Sequence, residues 1–112
     1  MSLDGPVLRI FEVRTKPDCA EKLLRNFATT SAQVVAGQPG NHGYFFGRSI
    51  EGDGNAVMFV SVWKDLADIK ARFGDDWQVS YMPDGYADLI EDCSVRHVQL
   101  KDGWHVEGLP GS

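Results

Sequence analysis

Few side chains in this sequence can do acid–base or anion chemistry, and they are widely spaced. His97 stands beside Arg96, flanked by Val95 and Val98. An imidazole on a mostly apolar segment can accept a proton near neutral pH. More often such a histidine is simply hydrogen-bonded in or near a core. Arg48 carries a fixed planar charge that can hold a carboxylate or an enolate. The plainer reading pairs it with Glu51 or Asp53. His97 and Arg48 are therefore the candidate catalytic groups, as base and anion partner.

The second group is aromatic. Trp63 offers a flat π face and one N–H donor; alternatively it closes one end of a core. Phe73, Trp77, Tyr81 and Tyr86 lie close together in the sequence and suit recognition of a planar apolar ligand, or pin a loop as a small satellite core. Phe59 and Ser61 share the strand parity of Trp63 and join it as candidate ligand contacts.

Other chemistries find no support. His42, His97, His105, Asp75 and Asp76 lack metal-ligand spacing, so no metal is expected. No Gly-x-Ser-x-Gly elbow occurs. Gly43 and Gly47 do not form a dinucleotide loop. Cys19 and Cys93 are too few and too distant for a disulfide framework. Cys93 follows Glu91 and Asp92, so a reactive thiolate is not expected.

These residues must be positioned by a modest scaffold. Val7 to Lys16 alternates and is rich in β-branched and aromatic residues, which predicts a strand. Asp18 with Glu21 reads as a capping box. Ala20, Leu23, Leu24, Phe27, Ser31, Val34 and Val35 then repeat at helical spacing, giving a helix over 18–36. His42 to Ile50 reads as a second strand, Glu51 to Asn55 as a hairpin loop, and Ala56 to Trp63 as the strongest strand. Asp65 caps a helix carrying Leu66, Ile69 and Phe73. A loop from Asp75 to Met82 leads to a short helix started by Pro83, with Tyr86, Leu89 and Ile90 inward. Ser94 to Leu100 is the last strand. The glycine-bearing tail, 102–112, is expected to be mobile. The order β-α-β-β-α-β predicts an α+β, ferredoxin-like antiparallel sheet with helices on one face, built as a single domain over 1–112 with its core at about 7–100.

Strand Ala56–Trp63 is apolar on both faces: Val57, Phe59, Ser61 and Trp63 on one, Ala56, Met58, Val60 and Val62 on the other. Helices cover one face, and a wet face would alternate with polar residues. A second copy of the chain, sheet against sheet about a two-fold axis, is the economical cover. The alternative is a partly exposed face or one covered by the tail.

The chain has 112 residues, 11 basic against 16 acidic, and a net charge of −5. That balance argues against a nucleic-acid binder and a polybasic membrane binder. No apolar run approaches the roughly 20 residues that cross a bilayer. The first residues lack the features of a signal peptide, and a cytoplasmic location is expected.

Val60-Ser61-Val62-Trp63, followed by Asp65, Leu66-Ala67-Asp68-Ile69 and Phe73, together with the strand and helix of Val7 to Ala36, resembles the antibiotic-biosynthesis-monooxygenase (ABM) family of the dimeric α+β barrel superfamily. The resemblance spans about residues 7–100. It implies a homodimer, a pocket between sheet and helices, and oxygenation of a small aromatic or enol substrate without a cofactor. A haem-degrading branch uses an Asn on the first strand, the strand-end Trp and a His ten residues on. Here Trp63 matches, the first strand lacks Asn, and Phe73 stands at the His position, so haem degradation is not expected. Many members carry Glu two residues before the Trp; Ser61 stands there, and that acid–base role does not carry over. The rival expectation is a non-catalytic ligand-binding or stress-related dimer.

Overall fold

A computed structural model of the chain describes residues 5–100. Strand β1 (Val7–Thr15) leads to helix α1 (Ala20–Asn26), a π-helical turn (Phe27–Ser31) and α2 (Ala32–Val35). Strands β2 (Asn41–Arg48) and β3 (Ala56–Trp63) follow, then α3 (Leu66–Phe73), a 3-10 turn (Gly74–Asp76) and β4 (Ile90–Gln99). The sheet order is β2-β3-β1-β4 and every pairing is antiparallel. This is the expected α+β, ferredoxin-like arrangement.

The register sets which side chains meet. Phe11 lies opposite Phe59 on β3 and Val95 on β4, and Arg9 lies opposite Ser61 and His97. The face carrying these residues packs on Leu23, Phe27, Val35 and Ile69 of the helical layer. Phe27 is fully buried, with its ring centroid 5.5–6.3 Å from those of Phe11, Phe46, Phe59 and Tyr86. The opposite face presents Phe45, Met58 and Val98, each 37–43% exposed. Both faces of β3 are thus apolar, as its parity indicates.

Local details depart from the sequence reading. The residues from Pro83 form turns, not a helix, with Tyr86 N–H donating to Pro83 and Leu89 N–H to Tyr86. Gly85 takes φ +89°, a conformation that breaks a helix. Strand β4 consequently starts at Ile90 rather than Ser94. Asp18 does not cap the first helix: it sits in a turn at φ +64°, and the cap position falls to Cys19 without a side-chain bond. Asp65 does cap α3, accepting from the Asp68 N–H at 3.0 Å. The tail at 102–112 lies outside the described residues. Among the described residues, no helix is long and apolar enough to cross a membrane.

Candidate functional site

The site begins at Arg9, which β1 places between Val7 and Phe11 on the helix-facing side. Arg9 is only 6% exposed. Its Nη1 donates to the carbonyl of Trp77 and lies 3.1 Å from Nε2 of His97. Its Nη2 donates to the carbonyl of Val79 at 3.2 Å. The guanidinium carbon lies 3.8 Å from the centre of the Phe73 ring, a cation–π contact. Among the described residues no carboxylate pairs with Arg9. Burial lowers its pKa to about 10, which leaves it cationic at neutral pH.

This arrangement fixes His97. A guanidinium only donates, so Nε2 of His97 accepts and Nδ1 carries the proton. Burial, and then the charge of Arg9, push the imidazole pKa down to about 4. His97 is therefore neutral across the physiological range, with its accepting nitrogen engaged. The ring of Trp77 meets it edge-on at 4.9 Å.

A narrow, part-open cleft with about 40 Å3 of free space lies between sheet and helices. The sheet supplies Arg9, Phe11, Phe59, Ser61 and Val95. Ser31, Val34 and Val35 form the helical wall, and Phe73, Tyr81 and Pro83 complete it. The lining is largely hydrocarbon and aromatic, with one unpaired buried charge. Such a space suits a planar apolar ligand that carries an anion.

Of the residues singled out from sequence, Phe59, Ser61, Phe73 and Tyr81 line this cleft together. Trp63 is fully buried in the core, its Nε1–H donating to Ser61 Oγ at 2.8 Å. Tyr86 is also buried in the core. Its hydroxyl donates to the Asn26 carbonyl at 3.1 Å and lies 2.6 Å from Ser31 Oγ. Trp77 and His97 line a second opening beside β4. Arg48 lies apart from the cleft: it pairs with Glu21 at 2.6 Å and donates to the Gly54 carbonyl. Arg48, the arginine expected as anion partner, thus has its charge satisfied outside the cleft, whereas Arg9 is buried in the cleft lining without a carboxylate. Arg9 and Ser31 are the polar cleft residues that sequence reasoning did not single out. Strand parity held the signal for Arg9, an arginine flanked on one face by Val7 and Phe11.

The model of the family described as antibiotic biosynthesis monooxygenase matches residues 6–76. This chain belongs to the antibiotic biosynthesis monooxygenase family. Among solved structures, the ABM chain resembles a candidate antibiotic biosynthesis monooxygenase from Bordetella bronchiseptica with a TM-score of 0.67 and 17% identity, covering 88% of this chain and 99% of the other. A candidate monooxygenase from Shewanella loihica gives 0.66 and 17%, with 89% and 98% covered. A haem-degrading protein from Mycobacterium tuberculosis gives 0.62 and 18%, with 91% and 99% covered. At these identities the likeness is one of fold. No curated protein matches the chain. In this ABM chain Phe73 is stacked under Arg9, which gives that position a role in holding a cation. Among the described residues, no cluster of three or more His, Cys, Asp or Glu could hold a metal ion.

Proposed function

We propose that this ABM protein is a monooxygenase that oxidises a small aromatic or enol substrate held in the cleft as an anion, without a metal or bound organic cofactor. The buried, carboxylate-free Arg9 in an apolar cleft supports this reading. A deprotonated phenol or enol is electron-rich enough to react with dioxygen itself. One ring or enol carbon, a CH2 in the keto tautomer, becomes a carbonyl: one oxygen atom of dioxygen enters the substrate, the other leaves as water with the two hydrogens of that tautomer, and the two C–H bonds broken supply the electrons. Arg9 stabilises the oxyanion, and the aromatic walls keep water away from it. Binding to Arg9 also makes the substrate a stronger acid. Its proton stays with bulk water as the anion enters, because the cleft lining holds no carboxylate and His97 Nε2 is engaged by Arg9. His97 thus acts as a positioning residue for Arg9 rather than as the base expected of it. The protein works as a cytoplasmic homodimer joined through the apolar sheet face of Phe45, Met58 and Val98.

The lack of a free base favours one rival, a non-catalytic dimer that binds the same anions. Oxygen uptake and tryptophan quenching, followed over a panel of phenols and quinones, separate the two. Uptake that Arg9→Met abolishes supports the oxygenase. Quenching without uptake by any member supports the binder. No quenching and no uptake overturns both.

A further inference from the structure

Ser61 sits on the sheet side of the cleft, beside Arg9 in the β1–β3 register, and is 2% exposed. Trp63 is fully buried, and its single polar hydrogen goes to Ser61 Oγ at 2.8 Å. A serine hydroxyl has two lone pairs and one proton. The indole occupies a lone pair, so the proton must point elsewhere. Among the described residues that proton has no acceptor: no hydrogen bond runs from Ser61 Oγ to another group. A buried donor left unpaired is costly, and an oxygen entering the cleft would satisfy it.

We infer that Ser61 is a ligand-binding donor oriented by Trp63, and that the cleft takes a planar ligand carrying two oxygens, an anionic one for Arg9 and a neutral carbonyl for Ser61. This rests on the cleft being the ligand site and adds the substrate class. Hydroxyquinones and enolised 1,3-dicarbonyl compounds carry that pair of oxygens on one planar frame. Ser31, on the facing wall, does not duplicate the role, because its hydroxyl is engaged by Tyr86 at 2.6 Å. Trp63 therefore acts on the ligand through Ser61 while remaining wholly inside the core.

The test is calorimetric titration of the full chain with 2-hydroxy-1,4-naphthoquinone, which is ionised at neutral pH, and with 1,4-naphthoquinone, which has the carbonyls but no acidic hydroxyl. Ser61→Ala is expected to weaken binding of the hydroxyquinone about tenfold, the usual loss for one buried hydrogen bond. Ser61→Thr, which keeps a hydroxyl, stays within about threefold of wild type on the same basis. Arg9→Met abolishes binding of the hydroxyquinone while leaving any binding of the neutral quinone dependent on Ser61. Where the alanine variant does not fold, Ser61→Cys decides, because a thiol fills the space and donates weakly. Unchanged affinity in the Ser61 variants, with loss in Arg9→Met, overturns the Ser61 assignment and leaves the cleft reading standing. No binding of either quinone by wild type overturns the cleft reading and this inference with it.

Discussion

Arg9 and His97 are Cα partners on adjacent strands, and the guanidinium donates to the imidazole across 3.1 Å. Each fixes the state of the other: the arginine holds its partner neutral, and the histidine gives the buried cation an acceptor that is not an anion. The cation is held in place while its charge stays uncancelled. That combination suits a site that must receive a negative ligand.

The pH dependence of stability follows from this pair. His97 has a pKa of about 4 in the folded chain, against an ordinary value near 6.5 when unfolded. As pH falls from 6.5 toward 4, the unfolded chain takes up a proton that the folded chain refuses. The contribution is therefore complete above 6.5 and is lost on acidification through that window. After solvent screening of a partly buried ring is allowed for, the loss is roughly 1 kcal/mol by pH 5, or about 4 °C in Tm. His97→Gln keeps an acceptor and removes the titration, so its Tm should fall less between pH 7 and 5. Parallel thermal melts of the two proteins check this, and equal slopes refute it.

Arg9→Met should separate function from stability. The charge is buried without a counter-ion, so its replacement by a chain of similar volume removes a desolvation cost. Tm should hold or rise, by up to about 1 kcal/mol in stability. The carbonyls of Trp77 and Val79 lose their donor, so amide exchange between residues 77 and 82 should accelerate. Removing the nearby charge should also raise the His97 pKa part of the way toward 6.5, the remainder being due to burial. An NMR titration of His97 with hydrogen exchange reads both effects. A large drop in Tm with an unchanged loop contradicts the account.

Much of the scaffold is legible in the sequence because hydrophobic period and parity carry it. Alternation placed Val57, Phe59, Ser61 and Trp63 on one face, and the register confirms it. The stripe from Leu23 to Val35 predicted the helix, including Ser31 within its apolar line. The π-helical turn at Phe27–Ser31 was not legible, since one extra residue in a turn leaves the period almost unchanged. The expected helix after Pro83 failed at Gly85, where backbone conformation overrode apolar spacing. For the site, the aromatic residues were visible as a cluster, but their division between cleft and core was not. Tyr81 reaches the cleft while Tyr86 and Trp63 are sealed, which depends on how a loop without regular structure folds back. Arg9 is not legible as a site residue, because charge on a strand ordinarily marks the wet face.

Gly40 is predicted to be intolerant of substitution. It adopts φ +80°, and a Cβ there would lie 2.2 Å from Asp68 Oδ2. Its carbonyl also accepts the Lys64 N–H at 2.7 Å, tying the approach to β2 to the end of β3. Gly40→Ala should cost about 1–3 kcal/mol from backbone strain alone, with the clash adding to it. Asp68→Ala in the same chain removes the carboxyl contacts at 2.2 and 2.3 Å, and leaves the Cβ contact at 2.6 Å and the strain. A double-mutant cycle by urea unfolding should therefore show coupling above roughly 0.5 kcal/mol. Additive effects would mean that the side chain of Asp68 yields freely.

The far sheet face gives the sharpest test of assembly. Phe45, Met58 and Val98 are 37–43% exposed, and their strand neighbours Val60 and Val62 are apolar too. Removing such a face from water is worth about 25 cal/mol per Å2 before the costs of association. Phe45→Glu and Met58→Glu place a carboxylate on that surface in each protomer, where a two-fold axis brings like charges together. Because these positions are exposed in the single chain, the folded protomer should change by only about 0.5 kcal/mol. Light scattering should give a mass of two chains for wild type at micromolar concentration and of one chain for the double variant. The circular dichroism of the two proteins should be the same. If wild type itself has the mass of one chain, the sheet face is not a dimer interface and the homodimer is discarded. If both proteins have the mass of two chains, the pairing uses another surface, and the cleft-bearing half of each protomer becomes the place to look.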